Sequence, residues 1–143
     1  MKNFRLYISI ITILIMSTST NQAHAQDGFI VIVNKSVKEE SLSQSAVRRI
    51  YFGFTTQWKN FERVKPSYMT IPNDAFWSYI STEEGKFKSY WTKRVFSGNG
   101  VAPVPMMNGE DVIDYVSRTS GAIGIVPDSL KDKLGDCRMI NLE

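Results

Sequence analysis

Apolar positions along this chain alternate between two spacings. Phe29-Ile30-Val31-Ile32-Val33 is an unbroken, mostly β-branched run, the pattern of a strand buried on both faces and typical of parallel sheets. Asn34-Lys35-Ser36 ends it. Ser43 then caps a helix that places Ala46, Val47, Ile50 and Tyr51 on one face, with Arg48 and Arg49 on the more exposed side and Gly53 near its end. Residues 54–67 read as loop, closed by Pro66, and Tyr68-Met69-Thr70-Ile71 as a short strand. Pro72-Asn73-Asp74 starts a helix carrying Phe76, Trp77 and Ile80. Thr82-Glu83-Glu84 starts another, carrying Phe87, Tyr90, Trp91, Val95 and Phe96, which Ser97-Gly98-Asn99-Gly100 ends. Pro103 and Pro105 read as loop. Asn108 caps a helix with Val112, Ile113, Tyr115 and Val116 inside, and Gly121 to Val126 is a second buried strand. A short helix after Pro127 and a strand over Met139–Leu142 complete the pattern. Strands and helices alternate, so the predicted class is α/β with a small, mainly parallel sheet flanked by helices.

The N-terminus follows a different pattern. Lys2 and Arg5 precede an apolar run from Leu6 to Met16, and a small, polar stretch leads to Ala23-His24-Ala25. That is the order of a cleaved secretory signal peptide. The run of roughly 11 residues is too short to cross about 30 Å of hydrocarbon at about 1.5 Å per residue. The expectation is a signal peptide over 1–25, one domain over 26–143, a periplasmic location, and no stable membrane span after cleavage.

Cleavage changes the composition that matters. The chain carries 17 Lys and Arg against 14 Asp and Glu; without Lys2 and Arg5 the balance is 15 against 14, net +1. That gives no case for nucleic acid as a partner. The one histidine, His24, leaves with the signal, and Cys137 is the one cysteine. The remainder has no means of building a Ser-His-Asp triad, a Cys-His pair or a typical zinc site. No Gly-rich phosphate loop or convincing carboxylate pair stands elsewhere, so no enzyme activity, metal or cofactor is expected. Cys137 reads as a shielded thiol near the last strand.

Four segments together resemble the phosphate-type periplasmic substrate-binding proteins of ABC transporters. They are Val31-Ile32-Val33-Asn34-Lys35; Val47 through Tyr51-Phe52-Gly53 to Trp58-Lys59-Asn60; Tyr90-Trp91 through Phe96-Ser97-Gly98; and Tyr115-Val116 followed by Gly121-Ala122-Ile123-Gly124. Their order matches over nearly all of residues 29–126. The resemblance implies one lobe of the type 2 periplasmic-binding-protein fold, in a short, single-lobe branch. Longer members have two lobes and hold their anion in the cleft between them. The resemblance also places an Arg and a Ser-Gly-Thr at a helix start, where Ile71-Pro72-Asn73-Asp74 stands here. Pro72 has no N–H to donate, and Asp74 repels an anion by about 1 kcal/mol or more at close range. A phosphate site of the family type is therefore not expected on this lobe.

The candidate ligand residues each carry two readings. Asn34, Lys35 and Ser36 follow the end of the first strand, the ligand edge of a parallel sheet, or are a solvated strand end. Thr55, Thr56 and Gln57 are a binding loop after a helix, or turn chemistry. Asn73 is a ligand contact or an N-cap. Arg48-Arg49 and Lys93-Arg94 are partner surfaces or solvated faces, and Trp58, Trp77 and Trp91 are core anchors. Two functions compete. One is a periplasmic binding protein for a small solute or oxyanion, or one reporting it to an envelope partner. The other is a non-catalytic interaction domain that has lost its ligand, with a homodimer as a further way to rebuild a cleft.

Overall fold

A computed structural model describes residues 28–70 and 73–143. The segment expected to be a signal peptide, and Ile71 and Pro72, lie outside the described residues. The chain runs β1 (Phe29–Asn34), β2 (Ser41–Leu42), α1 (Gln44–Tyr51), β3 (Lys65–Met69), α2 (Asp74–Tyr79), α3 (Glu84–Phe96), β4 (Val104–Met106), α4 (Gly109–Arg118), β5 (Ala122–Pro127), a 3₁₀ helix (Asp128–Lys133), β6 (Cys137–Met139) and β7 (Asn141–Leu142).

The five-stranded sheet has the order β4-β3-β5-β1-β6, and β2 pairs with β7 beside it. β3 runs parallel to β4 and to β5, while β1 runs antiparallel to β5 and to β6. Four strands thus share one direction and β1 alone is reversed. The sheet is mainly parallel, as predicted, but its first strand is not one of the parallel set. Burial on both faces shapes β1 all the same. Val31 and Val33 pack with α1, α2 and α3 on one side, and Ile32 packs with α4 on the other. β5 divides the same way, with Ile123 and Ile125 on the first face and Ala122 and Val126 on the second. Each fully buried Val or Ile contributes roughly 1.5–3 kcal/mol.

Two glycines make this layering feasible. A Cβ on Gly124 would lie 2.4 Å from Val112 Cγ1, so α4 sits on β5 only over a bare backbone. Gly121 has φ +76°, and a Cβ there would lie 2.2 Å from the Arg63 carbonyl oxygen.

Several boundaries differ from expectation. β3 begins at Lys65, inside the expected loop, because Lys65 N–H bonds the Gly121 carbonyl at 3.1 Å. Pro66 is tolerated because it precedes Ser67, the first residue to pair with β4. The Pro103–Pro105 stretch contains the edge strand β4, whose Met106 carbonyl accepts from Thr70 N–H at 2.8 Å. The final strand is two strands split at buried Ile140, whose N–H bonds Val31 O. Val95 and Phe96 are exposed, Phe96 at 89%, because α3 runs past the end of the core. Trp58, Trp77 and Trp91 are buried, as predicted.

Candidate functional site

The reversal of β1 decides where its end lies. Asn34 closes β1 beside the start of β5, since Val33 pairs with Ile123. Asn34, Lys35 and Ser36 therefore stand at the amino edge of the four parallel strands, opposite to the carboxyl edge they were expected to occupy. Asn34 is buried and committed inward: its Nδ2 donates to the carbonyls of Val116 (2.8 Å) and Ser117 (3.1 Å), and its Oδ1 accepts from Ser36 N–H (2.9 Å). Ser36 Oγ accepts from Gly121 N–H at 2.9 Å. Lys35 is exposed. Asn34 and Ser36 tie the end of β1 to α4 and to Gly121 at the start of β5.

Gly121 gathers this edge. Its carbonyl accepts from Trp58 Nε1 at 2.8 Å and from Lys65 N–H at 3.1 Å. Trp58 is thereby an anchor for the 54–64 loop, which is closed further by Trp58 N–H to Glu62 O and by the Gln57–Arg63 bridge. The Glu62 carboxylate accepts from the Ser120 hydroxyl, which holds its pKa below the ordinary 4.5.

Between this loop, the start of β3 and the end of α3 lies a cavity of about 440 Å³. Thr55 and Thr56 line it, as do Arg63, Lys65, Arg94 and Asn99. Trp91, Val101 and Tyr115 supply apolar wall. No Asp or Glu lines it. Arg94 is held in place: Nη1 donates to Tyr90 Oη and Nη2 to Asn99 O, each at 2.9 Å, and the guanidinium lies 5.6 Å from the Trp91 ring centroid. Its Nε is shut from solvent with no hydrogen-bond partner among the described residues. Among those residues, none of the ion pairs involves Arg63, Lys65 or Arg94. The chemistry available is that of a solvent-open cationic pocket with an aromatic wall, in which Arg63 is exposed and Lys65 and Arg94 are half-buried.

Asn73 stands at the other end of the sheet, after β3. Its Oδ1 accepts from Phe76 N–H at 3.2 Å, so it is the N-cap of α2. The structure thus brings Thr55 and Thr56 together with three cations, gives Asn34 and Ser36 structural roles at the same edge, leaves Lys35 exposed, and separates Asn73 from all of them. Arg63, Lys65 and Arg94 were missed as site residues. Arg63-x-Lys65 carried the signal, since alternate residues entering a strand share a face; Arg94 followed Tyr90 by one helical turn. Burial pushes the Cys137 thiol up to about 11, with Asp136 adding to the shift, and the thiol donates to Ile113 O, in keeping with a shielded cysteine.

No family model and no curated protein matches the chain. Solved structures do. A candidate phosphate ABC transporter substrate-binding protein from Clostridium perfringens, with bound phosphate, aligns at TM-score 0.64 and 17% identity over 81% of this chain and 45% of its own. An ABC-type phosphate transport receptor from Vibrio cholerae aligns at 0.62 and 14%, over 81% and 46%. PstS from Borrelia burgdorferi aligns at 0.57 and 12%, over 82% and 47%. The chain shares the fold of these phosphate-binding proteins and spans about half their length. Among the described residues no helix is long and apolar enough to cross a membrane.

Proposed function

We propose that residues 26–143, released by cleavage of a signal peptide over 1–25, act as a periplasmic single-lobe binding protein that takes a small anionic solute at the amino edge of its sheet. It catalyses no reaction. The observation that carries this reading is the cavity holding Arg63, Lys65 and Arg94 and no carboxylate. A charged oxygen about 4 Å from one such cation gains about 4 kcal/mol at an effective dielectric near 20. The structural neighbours include a protein solved with bound phosphate, which supports an oxyanion as the solute class.

The test is thermal or chemical melting of the purified chain with millimolar phosphate, sulfate and small carboxylates at constant ionic strength. A ligand at 100 times its Kd should stabilise by about 2.7 kcal/mol. The Arg63→Ala/Lys65→Ala double variant should lose that gain. If no oxyanion stabilises the wild type, or the variant responds equally, the solute reading falls.

A second reading has its own support. Phe96, the last residue of α3, is 89% exposed, and Val101, which lines the cavity, is 74% exposed. A surface of this kind suits an interaction domain, docking an envelope protein or a second copy. Sedimentation that shows a dimer broken by Phe96→Ser would favour that reading, and a monomer indifferent to Phe96 would remove the homodimer.

A further inference from the structure

The cationic cavity, at about 440 Å³, has far more room than an inorganic oxyanion fills. Pockets of roughly 300–1,000 Å³ hold organic ligands, and their walls are mostly apolar with a few polar groups that fix orientation. A tetrahedral anion beside Arg63 and Lys65 would leave most of this space to water. The wall is also divided by origin. Thr55, Thr56, Arg63 and Lys65 come from the 54–64 loop and the start of β3. Trp91, Val101, Val104 and Tyr115 come from α3, the segment after it, β4 and α4. Arg94 joins the two parts, since it stands on α3 and its Nη2 donates to Asn99 O at 2.9 Å. Val101 and Val104 are exposed to solvent and Tyr115 is half-buried, so this part of the wall still has apolar surface to lose to a ligand. Burial raises the Tyr115 pKa, which keeps the phenol neutral and adds no negative charge to the cavity.

We infer that the solute is an amphipathic organic anion, with a charged oxygen head on the Thr55, Thr56, Arg63 and Lys65 side and an apolar, ring-sized body against Val101, Val104 and Tyr115. This inference rests on the reading of the cavity as an anion site and narrows it. An inorganic oxyanion uses the cations and hydroxyls alone, and the exposed valines then stay in water. An organic anion uses both parts of the wall at once. The charged head fixes its orientation, and the apolar body adds affinity by leaving water.

The experiment is an amide NMR titration of the purified chain at constant ionic strength with two pairs of anions, benzoate against acetate and phenyl phosphate against phosphate. Benzamide serves as the uncharged counterpart of benzoate. At least one aryl anion should saturate with a Kd about tenfold or more below that of its ringless partner. Its shifts should extend from Thr55, Thr56 and Lys65 to Val101, Ala102 and Val104. Val101→Ser/Val104→Ser should erase that gain and leave acetate and phosphate binding unchanged. Ringless anions that bind as tightly as both aryl anions overturn the inference and leave the anion site standing. Benzamide that binds as tightly as benzoate shows that charge plays no part, and then the anion reading falls too. No saturable shift with any of the four anions removes both. Should the double variant fail to fold, the contrast between aryl and ringless anions in the wild type decides alone.

Discussion

The two ends of the sheet are built from the same strands and differ in nearly everything a ligand would meet. At the carboxyl edge, α2 and α4 point their N-termini outward. Asn73 and Asn108 already cap them, accepting from Phe76 N–H and Asp111 N–H. Asp74, Glu110, Asp111 and Asp128 follow the ends of β3, β4 and β5, so the positive helix ends face acids of the chain itself. At the amino edge Arg63, Lys65 and Arg94 line one cavity with no acid in its wall, while the Glu62 carboxylate nearby accepts from Ser120. The usual rule places ligands at the carboxyl ends of parallel strands. Here the caps and acids satisfy that edge internally, and unpaired positive charge has collected at the other. The proposed site therefore lies at the end of the lobe that this rule does not favour.

The largest effect expected is from breaking the amino edge at its centre. Gly121→Ala must place a Cβ against the Arg63 carbonyl at a left-handed backbone, and should cost roughly 2–5 kcal/mol in chemical denaturation. A loss below about 1 kcal/mol would mean the 54–64 loop is not held there as described. Next is Arg63→Ala/Lys65→Ala, which should forfeit most of an oxyanion-induced gain of about 2.7 kcal/mol measured at 100 times Kd, while altering the unliganded stability little. Asn73→Ala probes the other edge. It should cost about 1 kcal/mol through the lost N-cap and leave oxyanion binding unchanged; weakened binding would relocate the site.

The smallest effect is one of pH. The Ser120 hydroxyl holds the Glu62 carboxyl below its ordinary 4.5. A carboxyl lowered by folding adds stability above its unfolded pKa and loses it as pH falls through the folded value. Glu62→Gln should therefore flatten the stability profile only below about pH 4.5. The change should be slight, because desolvation of the carboxylate opposes the lowering by Ser120. Equal slopes for the two proteins would show that the bond to Ser120 adds nothing to folding.

The buried pattern was readable wherever local rules decide. The β-branched run of β1, the Ser43 cap with Val47, Ile50 and Tyr51 inside α1, and the Asn108 cap of α4 all follow from spacing and capping chemistry. What escaped depends on pairing between distant segments. An unbroken apolar run is compatible with either strand direction, so the reversal of β1, and with it the edge on which Asn34–Ser36 fall, was not contained in the run itself. β4 was hidden by Pro103 just before it and Pro105 within it. Met106 gives its carbonyl to Thr70, so the alternation of the strand turns Pro105 toward the open edge, where a missing N–H costs nothing. Within the candidate site, the loop threonines stood out by composition. Arg63, Lys65 and Arg94 looked like ordinary surface charge until the fold brought them around one cavity.

The claim that the amino edge is the ligand edge is open to one direct measurement, an amide NMR titration of the purified chain with phosphate and sulfate at constant ionic strength. Saturable shifts should cluster on Thr55, Thr56, Arg63, Lys65 and Asn99. Shifts confined to Thr70, Asn73, Asn108 and Gly109 would place the anion at the carboxyl edge and contradict the account.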